Sequence, residues 1–300
     1  MPAKNEGHMQ QTFVILSALV AAAAQDPASG WMAYAVGALP SHYERITTLE
    51  MTWTVSASPA RSRAFFSPWF GMDPDDNLNL IQPVNPWSGS AWSMYTEYFQ
   101  WAPTRNSNSR AFDVSAGAAL RGSLVYDGAA DSYTLTQTNL DTGDVSSQVV
   151  ACQDGKKFTV PYVVYEKTFP CKDCASSSSA ARARARAFPP PSFPPPRLTV
   201  SRPALSPADP PDENVTFHDI VALCDDGIDC ADELVWTPSV KDANCDMTAH
   251  VLNSRAISIT WDTSAASAYD HLSDVELFDL NHRGWATRLG LERPSNASAV

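Results

Sequence analysis

The chain has 300 residues, 44% of them hydrophobic, only 18% charged, and a net charge of −12. That apolar content supports one large or two ordinary domains with a real core. The acidic balance argues against nucleic acid and against an anionic membrane surface as partners.

In chain order, the first signal is Lys4 ahead of an apolar run over residues 13–24, which ends in small residues before Gln25-Asp26-Pro27. This is the layout of a secretory signal peptide over residues 1–24. The run is shorter than the roughly 20 apolar residues that a membrane-spanning helix takes. No later segment is long enough to span, and the C-terminus lacks the apolar tail of a lipid-anchor signal. A buried first helix is the competing reading; secretion, to the medium or the cell wall, is preferred.

Strand signals dominate from residue 30 onward. Leu49, Met51, Trp53 and Val55 alternate with Glu50, Thr52, Thr54 and Ser56, a period of two that sends four large apolar groups to one face. Strand-like runs follow at residues 65–70, 78–84, 93–101, 120–126, 133–138, 148–152 and 158–166. Turn chemistry joins them at Asp127-Gly128, Asp141-Thr142-Gly143 and Asp154-Gly155. Convincing amphipathic helices are absent from 30 to 170. Many short strands with turns between them predict an all-β antiparallel sandwich rather than a βαβ fold.

Residues 176–209 break the pattern with a serine run, Ala-Arg repeats and two Pro-Pro-Pro clusters. This segment can bury little apolar surface, and a disordered low-complexity insertion is expected there. It reads as an interruption of one sandwich domain over residues 30–300, rather than as a proline-rich ligand for another domain. Beyond it, residues 214–221 read as a strand, and Ile257, Ile259 and Trp261 alternate with Ser258, Thr260 and Asp262. Residues 269–280 fit helix or loop equally.

Six cysteines, Cys152, Cys171, Cys174, Cys224, Cys230 and Cys245, fit an oxidising compartment and read as disulfides whose pairing the sequence does not give. Cys171 and Cys174 have zinc-like spacing, but no second pair matches them and the six histidines show no ligand-like pairing, so no metal or cofactor is expected. The acidic run from Cys224 to Cys230 lacks EF-hand spacing and reads as a disulfide-pinned loop facing water. Asn214-Val215-Thr216 and Asn296-Ala297-Ser298 are N-glycan acceptor motifs, which agree with secretion.

No nucleophile motif, zinc-peptidase helix or phosphate-cradling loop occurs. The candidate chemistry lies in the aromatic, turn-rich run over residues 66–87, where Gln82 sits between Ile81, Pro83 and Val84. A glutamine on an apolar strand has a hydrogen-bonding reason to be there, either functional or as a satisfied structural amide. Two carboxylates lie on aromatic strands, Glu97 after Tyr95 and Glu166 after Tyr162 and Tyr165. Tyr162, Val164 and Glu166 share one face of their strand, and Val163 and Tyr165 share the other.

At these residues the chain resembles the eqolisins, fungal glutamic peptidases built on a concanavalin A-like, jelly-roll sandwich. Met51-Thr52-Trp53-Thr54-Val55 is similar to the family's Trp-Thr-Val-Pro strand, and Trp69-Phe70-Gly71-Met72-Asp73 to its Trp-Val-Gly-Ile-Asp run. Ile81-Gln82 falls where the family carries its catalytic glutamine, and Tyr95-Thr96-Glu97-Tyr98 resembles its Trp-Tyr-Glu-Trp strand, with Pro103 following. Val114 to Gly117 and Asn139 to Gly143 match two further loops. The resemblance implies a glutamate that activates water and a glutamine amide that stabilises the oxyanion, working at acid pH. One departure stands out: Pro161 to Glu166 aligns with the family's Ala-Glu-Trp-Ile-Val-Glu, so Tyr162 occupies the catalytic glutamate's place. Glu166 lies four residues on, about 13 Å at strand rise.

Gln82 falls in the catalytic glutamine's place, and Glu166 matches the family's second, non-catalytic glutamate. With the strand carboxylates Glu166 and Glu97 available to partner it, Gln82, Glu166 and Glu97 are the candidate catalytic residues, and Trp69, Trp87, Tyr95 and Tyr162 the candidate substrate-binding residues. The expected partner is a polypeptide substrate of a soluble, secreted, monomeric acid endopeptidase. The alternative is a non-catalytic, lectin-like binder of glycan or polypeptide, since aromatic sheet faces suit sugar stacking as well as core packing.

Overall fold

The computed structural model describes residues 27, 28, 30–59, 66–167, 174, 210 and 214–265. The expectations for the signal peptide, the 176–209 insertion, residues 269–280, Cys171 and Asn296 lie outside the described residues.

The described chain is β-structure joined by turns, with two single-turn 3₁₀ segments and no α-helix among the described residues. The first sheet contains β1 (Trp31–Ala38), β3 (Phe66–Pro74), β4 (Asn79–Val84), β5 (Trp92–Trp101), β6 (Thr104–Asn108), β11 (Phe158–Lys167) and β14 (Val235–Val240), in the order β14-β1-β11-β3-β4-β5-β6, with a short β7 (Phe112–Val114) also on β5. The second contains β2 (Ile46–Thr54), β8 (Ala119–Asp127), β9 (Ser132–Asn139), β10 (Val145–Ala151), β12 (Asn214–Cys224), β15 (Thr248–Asn253) and β16 (Ala256–Thr260), in the order β10-β9-β8-β2-β12-β16-β15, with β13 (Ile228–Asp229) on β12. All pairings are antiparallel. The two sheets pack face to face as an antiparallel β-sandwich.

The period of two in the sequence becomes the core. On β2, Leu49, Met51 and Trp53 are fully buried while Glu50 and Thr52 are half-buried and Thr54 is exposed. Trp53 stacks against Phe217 at 5.3 Å and meets Phe70 edge-on at 6.0 Å, so an aromatic contact links the inner faces of both sheets. Its indole N–H donates to Asn85 Oδ1 at 3.4 Å, giving the buried donor a partner. Tyr133 is likewise buried and donates its hydroxyl to the Ile46 carbonyl at 2.6 Å.

On β12 the alternation changes phase. Val215 and Phe217 point inward, but so do Ile220, Ala222 and Cys224. A bulge between His218 and Val221, with Asp219 at φ 53°, inserts the extra residue that moves the inward set from odd to even positions. The strand therefore continues three residues past the run read from the sequence.

The cysteines correct one expectation. Cys174 bonds to Cys245 and Cys224 to Cys230, but Cys152 is a free thiol. Its half-buried position on the way out of β10 sets it against the Arg45–Asp131 pair rather than another cysteine. The Cys224–Cys230 bond pins the acidic loop as expected, and Asp229 within it and Asp232 just beyond it pair with Arg255 at 3.0 and 3.2 Å. Among the described residues no group of His, Cys, Asp or Glu is arranged to hold a metal ion, and no helix is long and apolar enough to cross a membrane.

Candidate active site

The outer face of the first sheet carries a second apolar cluster, separate from the core between the sheets. Trp31, Trp69, Leu80, Val84, Tyr162 and Val164 are buried in it, with Tyr34, Tyr95, Phe99 and Trp101 packed at its margins. Trp31 anchors the cluster, meeting Trp69 and Tyr162 edge-to-face at 5.1 Å each. The faces of β11 fall as the sequence predicts: Tyr162 and Val164 join this outer cluster, while Val163 and Tyr165 enter the core between the sheets.

One row across this face brings the candidate residues together. Tyr162 on β11 is opposite Gly71 on β3. The pairs Trp69–Val84 and Met72–Ile81 bracket Gly71 and Gln82, which places Gln82 beside Gly71. Gln82 in turn is opposite Glu97 on β5. Residues directly opposite each other in a sheet share a face, so Tyr162, Gln82 and Glu97 form one line with a glycine in the gap. A Cβ on Gly71 would lie 2.5 Å from the Ile81 carbonyl oxygen and 3.0 Å from Gln82 Cβ. Only glycine lets β4 approach β3 this closely here.

Gln82 is 5% exposed, and its Nε2 donates to Glu97 Oε2 at 3.1 Å. Asn106 Nδ2, diagonally across on β6, donates to Glu97 Oε1. Both oxygens of the carboxylate therefore receive amide donors, which complement an anion. The Gln82 Oε1 has no hydrogen-bond partner among the described residues. The amide thus donates one of its two N–H groups to Glu97 and keeps an unsatisfied acceptor in a buried position.

Glu166 stands elsewhere on the same face. It is 9% exposed and accepts from Trp69 Nε1 at 3.2 Å, at the Trp31 end of the cluster. Tyr95 lies between the two carboxylates. Burial drives its phenol well above the usual range, and the charges of Glu97 and then Glu166 push it further. Its hydroxyl is therefore a neutral hydrogen-bonding group at any working pH. Trp87 lies apart: it sits in the core between the sheets, packed on Trp92 with ring centroids 5.5 Å apart. It lies beyond the end of β4, bridged to Phe66 and Trp92. Asn106 and Gly71 complete the site without having been singled out in the sequence. Thr104, Arg105 and Asn106 are all polar and exposed, so no alternation in the sequence marks Asn106.

No protein-family model matches the chain, and no curated protein matches it. Among solved structures, scytalido-glutamic peptidase with a peptide-based transition state analogue is similar at 16% identity and a TM-score of 0.49, covering 77% of this chain and 98% of that one. SCP-B, a member of the eqolisin family of peptidases in complex with the tripeptide Ala-Ile-His, is similar at 16% identity and a TM-score of 0.47, covering 77% and 98%. Aspergilloglutamic peptidase from Aspergillus niger is similar at 14% identity and a TM-score of 0.38, covering 66% and 98%.

Proposed function

We propose that the protein is a secreted acid endopeptidase of eqolisin type that uses Glu97 and Gln82 as its working pair. The observation that carries this reading is the 3.1 Å contact between the Gln82 amide and the Glu97 carboxylate on an aromatic sheet face. A carboxylate accepts at up to four lone-pair sites, so one group can hold amide donors and a water together. Glu97 would take a proton from that water as it attacks the peptide carbonyl. The second N–H of Gln82 would donate to the oxyanion, and an amide does this without a change in its own protonation. Glu97 thus takes the base role that the resemblance gives to the position held here by Tyr162. Tyr162, Tyr95 and Trp69 would line the polypeptide site. Glu166, tied to Trp69, would shape that wall rather than react. The two disulfides and the acceptor motif at the exposed Asn214 support an oxidising, extracellular setting.

A second reading has its own observation. Tyr162 puts a phenol, a poor base at acid pH, where the resemblance implies a carboxylate. The face would then bind polypeptide or glycan on its aromatic groups without cleaving it. Incubating purified protein with a denatured polypeptide at pH 3–5 separates the two. The first reading expects cleavage that Gln82→Ala removes. Absence of cleavage across that range, with binding retained in Gln82→Ala and lost in Tyr95→Ala, would establish the second.

A further inference from the structure

Directly behind the Gln82–Glu97 pair, inside the sandwich, three buried polar atoms have no hydrogen-bond partner among the described residues. They are Oε1 and Nε2 of Gln137 and Oγ1 of Thr96, and both residues are fully buried. Thr96 precedes Glu97 on β5 and points inward, opposite Pro83 of β4. Its backbone is fully engaged: its N–H donates to Ser109 Oγ at 2.8 Å, and its carbonyl accepts from Ser109 N–H at 3.0 Å and Gln148 Nε2 at 2.9 Å.

The register brings the orphaned atoms face to face. In the second sheet, Gln137 lies between Gly122 of β8 and Ser146 of β10. In the first, Thr96 lies between Pro83 and Ser109. The two rows meet at both ends: a Cβ on Gly122 would lie 2.6 Å from Pro83 Cγ, and Ser146 Oγ is 2.6 Å from Ser109 Oγ. Gln137, in the middle of one row, therefore faces Thr96, in the middle of the other.

An amide and a hydroxyl buried without partners are strongly unfavourable, and such groups in folded proteins are met by protein or ordered water. The geometry points to a buried water-binding site between the sheets, with one water accepting from Gln137 Nε2, donating to Gln137 Oε1 or a neighbouring oxygen, and bridging to Thr96 Oγ1. A site lined by a donor, an acceptor and a hydroxyl supplies the two to four polar partners that a buried water takes. The water ties the second sheet to the residue beside Glu97. The inference concerns the interior and is independent of whether the outer face cleaves or binds.

The sign of a stability change tests it. If the site holds water, Thr96→Val or Gln137→Met each strands that water, and Tm falls by roughly 2–4 °C per substitution. The double variant then falls by less than the sum, because the pair shares one partner. A high-resolution crystal structure of the wild-type protein is expected to show a water within hydrogen-bond distance of both side chains. A rise in Tm for either single substitution overturns the inference, as does a map showing Thr96 bonded directly to Gln137 with no water between them. The wild-type map decides even if a variant fails to fold.

Discussion

At the residue scale, the surroundings of a side chain set its chemistry more than its type does. Glu97 and Glu166 are both strand glutamates beside tyrosines, yet one meets a glutamine amide and the other an indole N–H. Cys152 shows the same dependence. Burial, then the charge of Asp131, raise its thiol to about 11 against the opposing pull of Arg45. Its folded pKa thus exceeds the unfolded value of about 8.5, so its contribution to stability is complete below that pH and lost as pH rises towards the folded value. The thiolate is scarce at pH 8, and native protein is expected to react with iodoacetamide far more slowly than unfolded protein, with the rate climbing between about pH 9 and 11. Equal labelling rates in both states at pH 8 would contradict this environment.

At the element scale, how legible each strand was in the sequence follows from its surroundings. Strands with one buried face, such as β2, could be read because burial on one side writes a period of two into the residues. β1 carries apolar residues on both faces, Met32, Ala33 and Ala35 in the core and Trp31, Tyr34 and Val36 in the outer cluster, so no apolar–polar alternation marks it in the sequence. The end of β12 was hidden by a bulge that reverses the alternation. Gln82 and Glu97 were both legible as candidates, but their contact depends on the register of β4 against β5, which residue types alone do not encode. Trp87 shows a related dependence: a tryptophan in an aromatic run carries no mark of which face it takes, and this one lies in the core between the sheets. Gly71 gives this scale its prediction. Gly71→Ala forces a Cβ against the Ile81 carbonyl, so β4 must shift. The expected cost is about 1–3 kcal/mol, with a fall in activity beyond what the loss of folded protein explains, because Gln82 moves with β4. Wild-type stability in this variant, measured by urea unfolding, would show that the close approach of the strands is not needed.

At the scale of the whole molecule, side chains between the sheets and, among the described residues, one long covalent tie close the sandwich. The Cys174–Cys245 bond spans 71 residues of sequence, the Cys224–Cys230 bond only 6. Loop-closure entropy makes the first worth about 4 kcal/mol and the second about 2 kcal/mol. Replacing Cys174 and Cys245 by serine is therefore expected to lower the urea midpoint clearly more than replacing Cys224 and Cys230. The reverse order would place the main covalent restraint in the acidic loop. The sequence showed an antiparallel sandwich and a cysteine framework, but not which cysteines meet, because pairing depends on how the strands stack.

The proposed role of Glu97 as a base beside Gln82 is decided by the rate of cleavage of a denatured polypeptide near pH 4, compared between wild type and Glu97→Gln. This substitution keeps the shape and the hydrogen-bonding reach of the side chain while removing the carboxylate. A base role predicts a loss in kcat of about 10²–10⁴, while Glu166→Gln keeps most of the activity. Cleavage at the wild-type rate in Glu97→Gln, or its loss in Glu166→Gln alone, would place the base elsewhere.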